Sequence, residues 1–263
     1  MNLENVSVFN YWGQGYENMP QMIKKIYDNN LKFCNKNNIN LILIDDKNVY
    51  DYITPHNRYN DLAYNFKSDI IRFYILDKYG GFWLDTDIII IKDLNTIYSL
   101  FINQNNYDMI LDVEHLWNEG IDGIKLGSAS ILLKKKSICS NYCLKYINDT
   151  LNNIEILNWN DIGPWTSKNV YLNYKERVAI NNYEITSKGC NFICWIDNPG
   201  FNKDKWYFNS IQKAEIKANN LKNNKDCYYL ITWSIYKENN INDDICEFVF
   251  NDKRSIFSYL INL

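Results

Sequence analysis

At 263 residues, the chain is long enough to bury a substantial core within one domain at the large end of the usual range. Its 46% hydrophobic and 22% charged residues are those of an ordinary globular protein. A net charge of -3, with no basic block longer than Lys134-Lys135-Lys136, excludes a nucleic-acid-binding surface. No apolar run is long enough to span a bilayer; the longest, Ile88 to Ile91, is strand-sized. The N-terminus lacks a signal-peptide pattern and the seven cysteines are scattered, which together predict reduced thiols in a cytoplasmic protein. Cys139 and Cys143, like Cys190 and Cys194, are spaced one helical turn apart and are read as buried structural residues, because zinc ligands usually come in tighter pairs.

In chain order, Val6 to Trp12 reads as a strand, followed by the loop Gly13-Gln14-Gly15. Pro20 opens a helix whose apolar positions Met22, Ile23, Ile26 and Leu31 carry it to about Cys34. Leu41 to Ile44 is a compact strand ending in Asp45-Asp46, and a second helix runs from about Asp61 to Tyr79, stopped by Gly80-Gly81. Phe82 to Ile91 reads as extended chain. This β-α-β-α-β order predicts an α/β sheet covered by helices. Farther on, Tyr107 to Val113, Ser128 to Leu133 and Tyr228 to Trp233 read as strands, with helices over Ser137 to Asn152, after Gly163-Pro164, and over Ser255 to Leu260. No linker or internal repeat divides the chain, so one domain, 1–263, is expected.

The chemistry concentrates in Ser68 to Ile88, SDIIRFYILDKYGGFWLDTDI. In extended chain, residues two apart share a face, so Asp85 and Asp87 are expected to converge on one hard divalent cation, Mn2+ or Mg2+. Such a cation makes the diphosphate of a nucleotide-sugar a better leaving group. Gly80 and Gly81 are expected to let ligand approach the backbone there. Asp69 and Arg72, three apart on a helix, form either a surface ion pair or a donor-binding pair. Trp12, at the end of the first strand, reads as a core aromatic. No Gly-x-Gly-x-x-Gly turn follows the first strand, which excludes a dinucleotide-binding dehydrogenase.

The segment resembles the sugar-binding DXD region shared by capsular polysaccharide synthesis glycosyltransferases, Och1-like α-mannosyltransferases and large clostridial glucosylating toxins. Ser68, Asp69, Arg72, Gly80, Gly81, Trp83, Leu84, Asp85 and Asp87 occupy the matching places. Tyr11 to Pro20 resembles the opening of the capsular-synthesis group, and Gly163, Pro164 and Thr166 resemble a later motif of the Och1-like group. The resemblance implies a single GT-A, Rossmann-like domain with a mixed central sheet. It also implies transfer of a hexose from a nucleotide-sugar, a UDP-sugar favoured, to a glycan acceptor with retention of configuration. By the same resemblance Asp69 and Arg72 contact the donor, Asp85 the ribose or metal, and Asp87 the metal. Trp12, Gln14 and Ser68 line the nucleotide; Tyr228 to Trp233 either is similar to a C-terminal loop of the toxins that brings Trp233 to the diphosphate or glycosidic oxygen and Ser234 to the metal, or is a core strand ending at Trp233 with a turn at Ser234. Two departures stand out: Ser128 replaces a family asparagine, and neither His56 nor His115 sits where a C-terminal histidine ligand is expected. Asp112, Glu114 and Glu119 are candidates for the acceptor side. A toxin-like protein glucosyltransferase and a catalytically silent sugar-nucleotide or glycan-binding protein are the competing readings.

Overall fold

The computed structural model describes residues 6–103, 106–121, 124–181, 193–195, 210–223, 229–231 and 249–261. They fall into two compact units. The first takes in 1–17, 39–85 and 95–189, and the second 18–38, 86–94 and 190–263.

The first unit is built on a mixed six-stranded sheet. Its strands are β1 (Ser7–Tyr11), β2 (Asn40–Ile44), β3 (Gly81–Leu84), β5 (Met109–Ile121), β6 (Ile124–Leu133) and β7 (Val178–Asn181), in the order β2-β1-β3-β6-β5-β7. β1 runs parallel to both β2 and β3, β6 is antiparallel to β3 and β5, and β7 is parallel to β5. A sheet of this kind needs helices over its apolar strands. α3 (Tyr64–Tyr79), α5 (Ile138–Asn153) and α6 (Gly163–Asn173) supply them, with Ile70, Phe73, Ile147 and Val170 sharing one core with Phe9, Trp83 and Ile131. The short α2 (Val49–Tyr52) and the amphipathic α4 (Asn95–Asn103) complete the unit. Cys139 and Cys143 lie in this core as free thiols, and burial pushes Cys139 up to about 12.

In the second unit α1 (Gln21–Lys36) packs against β4 (Ile88–Ile90), where buried Asn30 donates to the Ile88 carbonyl (2.6 Å) and accepts from the Ile90 amide (2.9 Å). β4 pairs with β9 (Tyr229–Ile231), and β9 with β8 (Ile193–Trp195). Met22, Ile26 and Ile89 form a core with Ala214 and Ala218 of α7 (Ile211–Asn223) and Phe257 and Leu260 of α8 (Phe257–Leu260).

Two expectations change here. The stretch Phe82 to Ile91 is two strands in different sheets, separated at 85–87 by a turn. Asp-Thr-Asp favours a turn over a pleat, so strand alternation does not set the directions of Asp85 and Asp87. Gly80 and Gly81 serve the backbone. Gly80 ends α3 at φ +71, and a Cβ on Gly81, at φ +100, would lie 2.5 Å from the Ser7 carbonyl oxygen. That close approach is what lets β3 lie beside β1.

Candidate active site

Because β1, β2 and β3 are parallel, their C-terminal ends deliver Tyr11, Asp45-Asp46 and Asp85 to the same edge of the sheet, where open α/β sheets bind ligands. The first two turns of α3 meet that edge. Asn10 holds the strand ends together by donating to the Leu84 carbonyl at 2.5 Å.

Arg72 is the hub. Its guanidinium donates to the Ser68 carbonyl (Nε, 3.3 Å), the Ser68 hydroxyl (Nη2, 3.0 Å) and the Ser128 carbonyl (Nη1). Nη2 lies 3.0 Å from Asp69 Oδ1 and 3.5 Å from Asp85 Oδ1, and the guanidinium stacks 5.2 Å from the centre of the Trp83 ring. The alternative of a surface ion pair is thus excluded by burial: both members are in the interior, Asp69 at 7% exposure. Fork geometry, always-present charge and weak hydration suit arginine to this place.

Asp69 accepts a hydrogen bond from the Gly163 amide at the start of α6, where the helix dipole favours a negative charge. A Cβ on Gly163 would lie 2.4 Å from Asp69 Oδ1, so only glycine permits this contact. Burial raises the Asp69 carboxyl to about 6, outweighing the lowering by Arg72 and the Gly163 amide. The folded-state value is above the ordinary 3.8, so the stability this group contributes is complete below 3.8 and lost as pH rises through about 6. We expect the Asp69 carboxyl carbon, followed by NMR and assigned with Asp69→Asn, to titrate near pH 6; a midpoint near 3.8 would contradict the burial described here.

Asp85 follows β3. Its Oδ1 accepts from Trp83 Nε1 (2.8 Å) and faces Arg72, while Oδ2 has no hydrogen-bond partner among the described residues. The side chain is 34% exposed, and burial nonetheless raises its carboxyl, with Arg72 and Trp83 opposing. Asp87 is half-buried. Among the described residues no three His, Cys, Asp or Glu side chains form a ready-made metal cage. A carboxylate with one oxygen anchored and the other unbonded still fits a cation that takes most of its shell from phosphate oxygens and water.

Trp12 is half-buried just past β1, its backbone amide on the Ile44 carbonyl (2.9 Å) and its Nε1 buried without a partner among the described residues. Gln14 is exposed in the loop between Gly13 and Gly15. A Cβ on Gly13 would lie 2.2 Å from the Tyr64 ring. Trp233, Ser234 and the side chains of Asp112, Glu114, His115 and Glu119 lie outside the described residues. His56 is half-buried, its Nε2 paired with Asn152 (3.1 Å).

Sequence reasoning assigned no role to a second cluster at the same edge. Asp46 Oδ1 accepts from the hydroxyls of Tyr11 and Tyr59, both at 2.7 Å, and Oδ2 from Lys67 at 2.6 Å. Burial alone would raise this carboxyl, but Lys67 and the two hydroxyls hold it below the usual range. The Asp45-Asp46 pair ending a strand was the visible signal; its partners lie on three separate elements.

Residues 1–126 match the family model described as capsular polysaccharide synthesis protein. An uncharacterized glycosyltransferase of Acanthamoeba polyphaga mimivirus is 31% identical over 99 residues, which cover 34% of this chain and 38% of that protein's length. A solved structure titled as a glycosyltransferase involved in the glycosylation of the major capsid of PBCV-1 superimposes with a TM-score of 0.51 at 12% identity, covering 89% of this chain and 96% of that one. No helix among the described residues is long and apolar enough to cross a membrane. With its mixed six-stranded sheet, the chain has the GT-A fold, and its first 126 residues match the capsular polysaccharide synthesis family model.

Proposed function

We propose that the protein is a glycosyltransferase that moves a hexose from a nucleotide-sugar, a UDP-sugar favoured, to a glycan acceptor with retention of configuration. The observation that carries this reading is the buried Arg72 joined to both Asp69 and Asp85 at the C-terminal ends of the parallel strands. A structural ion pair needs one carboxylate; a cation shared by two carboxylates, one of them partly open, is an arrangement for holding a ligand.

Arg72 acts chiefly as a positioning residue. Four of its five N–H groups are spent on Ser68, Ser128 and Asp69. It fixes the oxygens of Asp69 and Asp85 and keeps one Nη1 hydrogen for the donor. Asp69, with acceptor capacity left after Arg72 and Gly163, orients a donor hydroxyl. Ser68, beside the nucleotide, also holds Arg72 in place through its carbonyl and hydroxyl. Trp12 and Gln14 meet the nucleoside from the loop after β1. Asp85 and Asp87 would hold Mn2+ or Mg2+, which would supply the positive charge that neutralises the diphosphate. The protein works in the cytoplasm, where nucleotide-sugars are its supply.

The decisive experiment screens UDP-, GDP- and CMP-sugars for slow hydrolysis with Mn2+ and with EDTA, using the parent and Asp87→Asn. One UDP-sugar should be turned over, EDTA should abolish the reaction, and Asp87→Asn should retain less than about one hundredth of the rate, roughly 2.7 kcal/mol of transition-state stabilisation. Turnover by the variant at the parent rate would sink the metal assignment.

A further inference from the structure

The segment between α5 and α6, together with the first turn of α6, carries exposed apolar side chains that neither the core nor the donor site uses. Trp159 is 69% exposed, Ile156 82% and Trp165 40%. Large apolar groups clustered on a surface mark a binding site more often than chance exposure does.

This segment is held rather than loose. Arg58 reaches across to donate to the carbonyls of Leu151 (2.5 Å), Ile154 (2.6 Å) and Glu155 (2.7 Å). The Asn158 amide donates to Asp161 Oδ2 (2.6 Å), the Asp161 amide to the Asn158 carbonyl (3.0 Å), and the Trp165 amide to the Asn160 carbonyl (3.0 Å). The rim is thus pre-ordered, which removes much of the entropy cost of binding. It is also continuous with the donor site. Gly163, whose amide holds Asp69, lies two residues before Trp165 and four after Trp159.

We propose that this rim is the platform on which the acceptor glycan lies, with Trp159 and Trp165 stacking on sugar rings. The proposal rests on the glycosyltransferase reading and names the substrate surface of that same site. Its chemistry favours a carbohydrate over a protein surface. Trp159 lies between the short polar side chains of Asn158 and Asn160, and Trp165 follows four residues after Asp161. A pyranose presents the matching pattern, an apolar face of C–H groups bordered by hydroxyls that both donate and accept. Lys168 lies 4.1 Å from the centre of the Trp165 ring and covers one face, so a sugar takes the other.

The test uses the full chain and the double variant Trp159→Ala/Trp165→Ala, both positions being exposed. Fluorescently labelled protein is applied to a printed glycan array in the presence of UDP and Mn2+, and donor hydrolysis to water is measured in parallel. The parent should capture a defined set of glycans and the double variant at least tenfold less, while donor hydrolysis changes less than twofold. Equal capture by both proteins, or no glycan captured by the parent, would overturn the platform. Transfer to a protein acceptor that is lost in the double variant would overturn its assignment to glycans. Absence of donor hydrolysis in the parent would count against the glycosyltransferase reading and leaves the array result to judge the platform separately.

Discussion

Arg72→Lys should lower donor hydrolysis about a hundredfold, roughly 2.7 kcal/mol, although charge is conserved. An ammonium has three donors on one atom, whereas Arg72 reaches Ser68, Asp69 and Ser128 from three nitrogens and stacks on Trp83. Whichever carboxylate a lysine chose, it would leave the buried Ser128 carbonyl without its donor or Asp85 without its cation. That loss costs about 1–3 kcal/mol of stability. Thermal melting should therefore fall by several degrees, yet far less than would unfold the protein at assay temperature. A variant with parent kinetics would reduce the Arg72 cluster to a structural ion pair.

Gly163→Ala should be nearly as severe, although it adds a single methyl group remote in sequence from the Asp-Thr-Asp turn. The new Cβ would fall 2.4 Å from Asp69 Oδ1 and 2.6 Å from Cγ, so the carboxylate or the first turn of α6 must move. Overpacking of this kind costs about 1–3 kcal/mol. Displacing Asp69 also removes the partner that sets Arg72, and donor hydrolysis should fall at least tenfold. A double-mutant cycle isolates the cause. Asp69→Ala on the Gly163→Ala background should cost less stability than on the parent, because it relieves the clash. Strictly additive stabilities would show that the methyl acts elsewhere.

The sequence made β1, α1, β2 and α3 readable because each carries its own period and its own punctuation, such as Pro20 before α1 and Gly80 after α3. The break at Asp85 was hidden. Phe82 to Ile91 is apolar on both sides of the acidic residues, and the turn there shows itself through the separate partners of the two strands, β1 and β6 for β3 and β9 for β4. Helices α4 and α7 and the strands β7 and β8 have shorter or weaker patterns, and long-range pairing decides them. Asp69 and Arg72 were legible as a pair three residues apart. That Gly163 and Ser128 complete the pair was not, since one contributes an amide and the other a carbonyl, groups that every residue possesses. Asp46 illustrates the same limit: its tyrosines and lysine come from β1, from the turn at Asn57–Asp61 and from α3.

The central place of β3 bears on the order in which the nascent chain becomes competent. β1 and β2 can pair as soon as Ile44 has emerged, but β3 lies between β1 and a strand whose paired residues, Ser130 to Leu133, are synthesised almost fifty positions later. Until then one edge of β3 has no ladder partner, and an open apolar edge is a site of misassociation. The Ser128 carbonyl that anchors Arg72 arrives with that same strand, and the Gly163 amide that anchors Asp69 arrives later still. A ribosome-bound chain that already displays Ser68 to Ile88 in full therefore holds its charges without their supports. The Arg72 cluster is complete only after β6 has paired and α6 has docked.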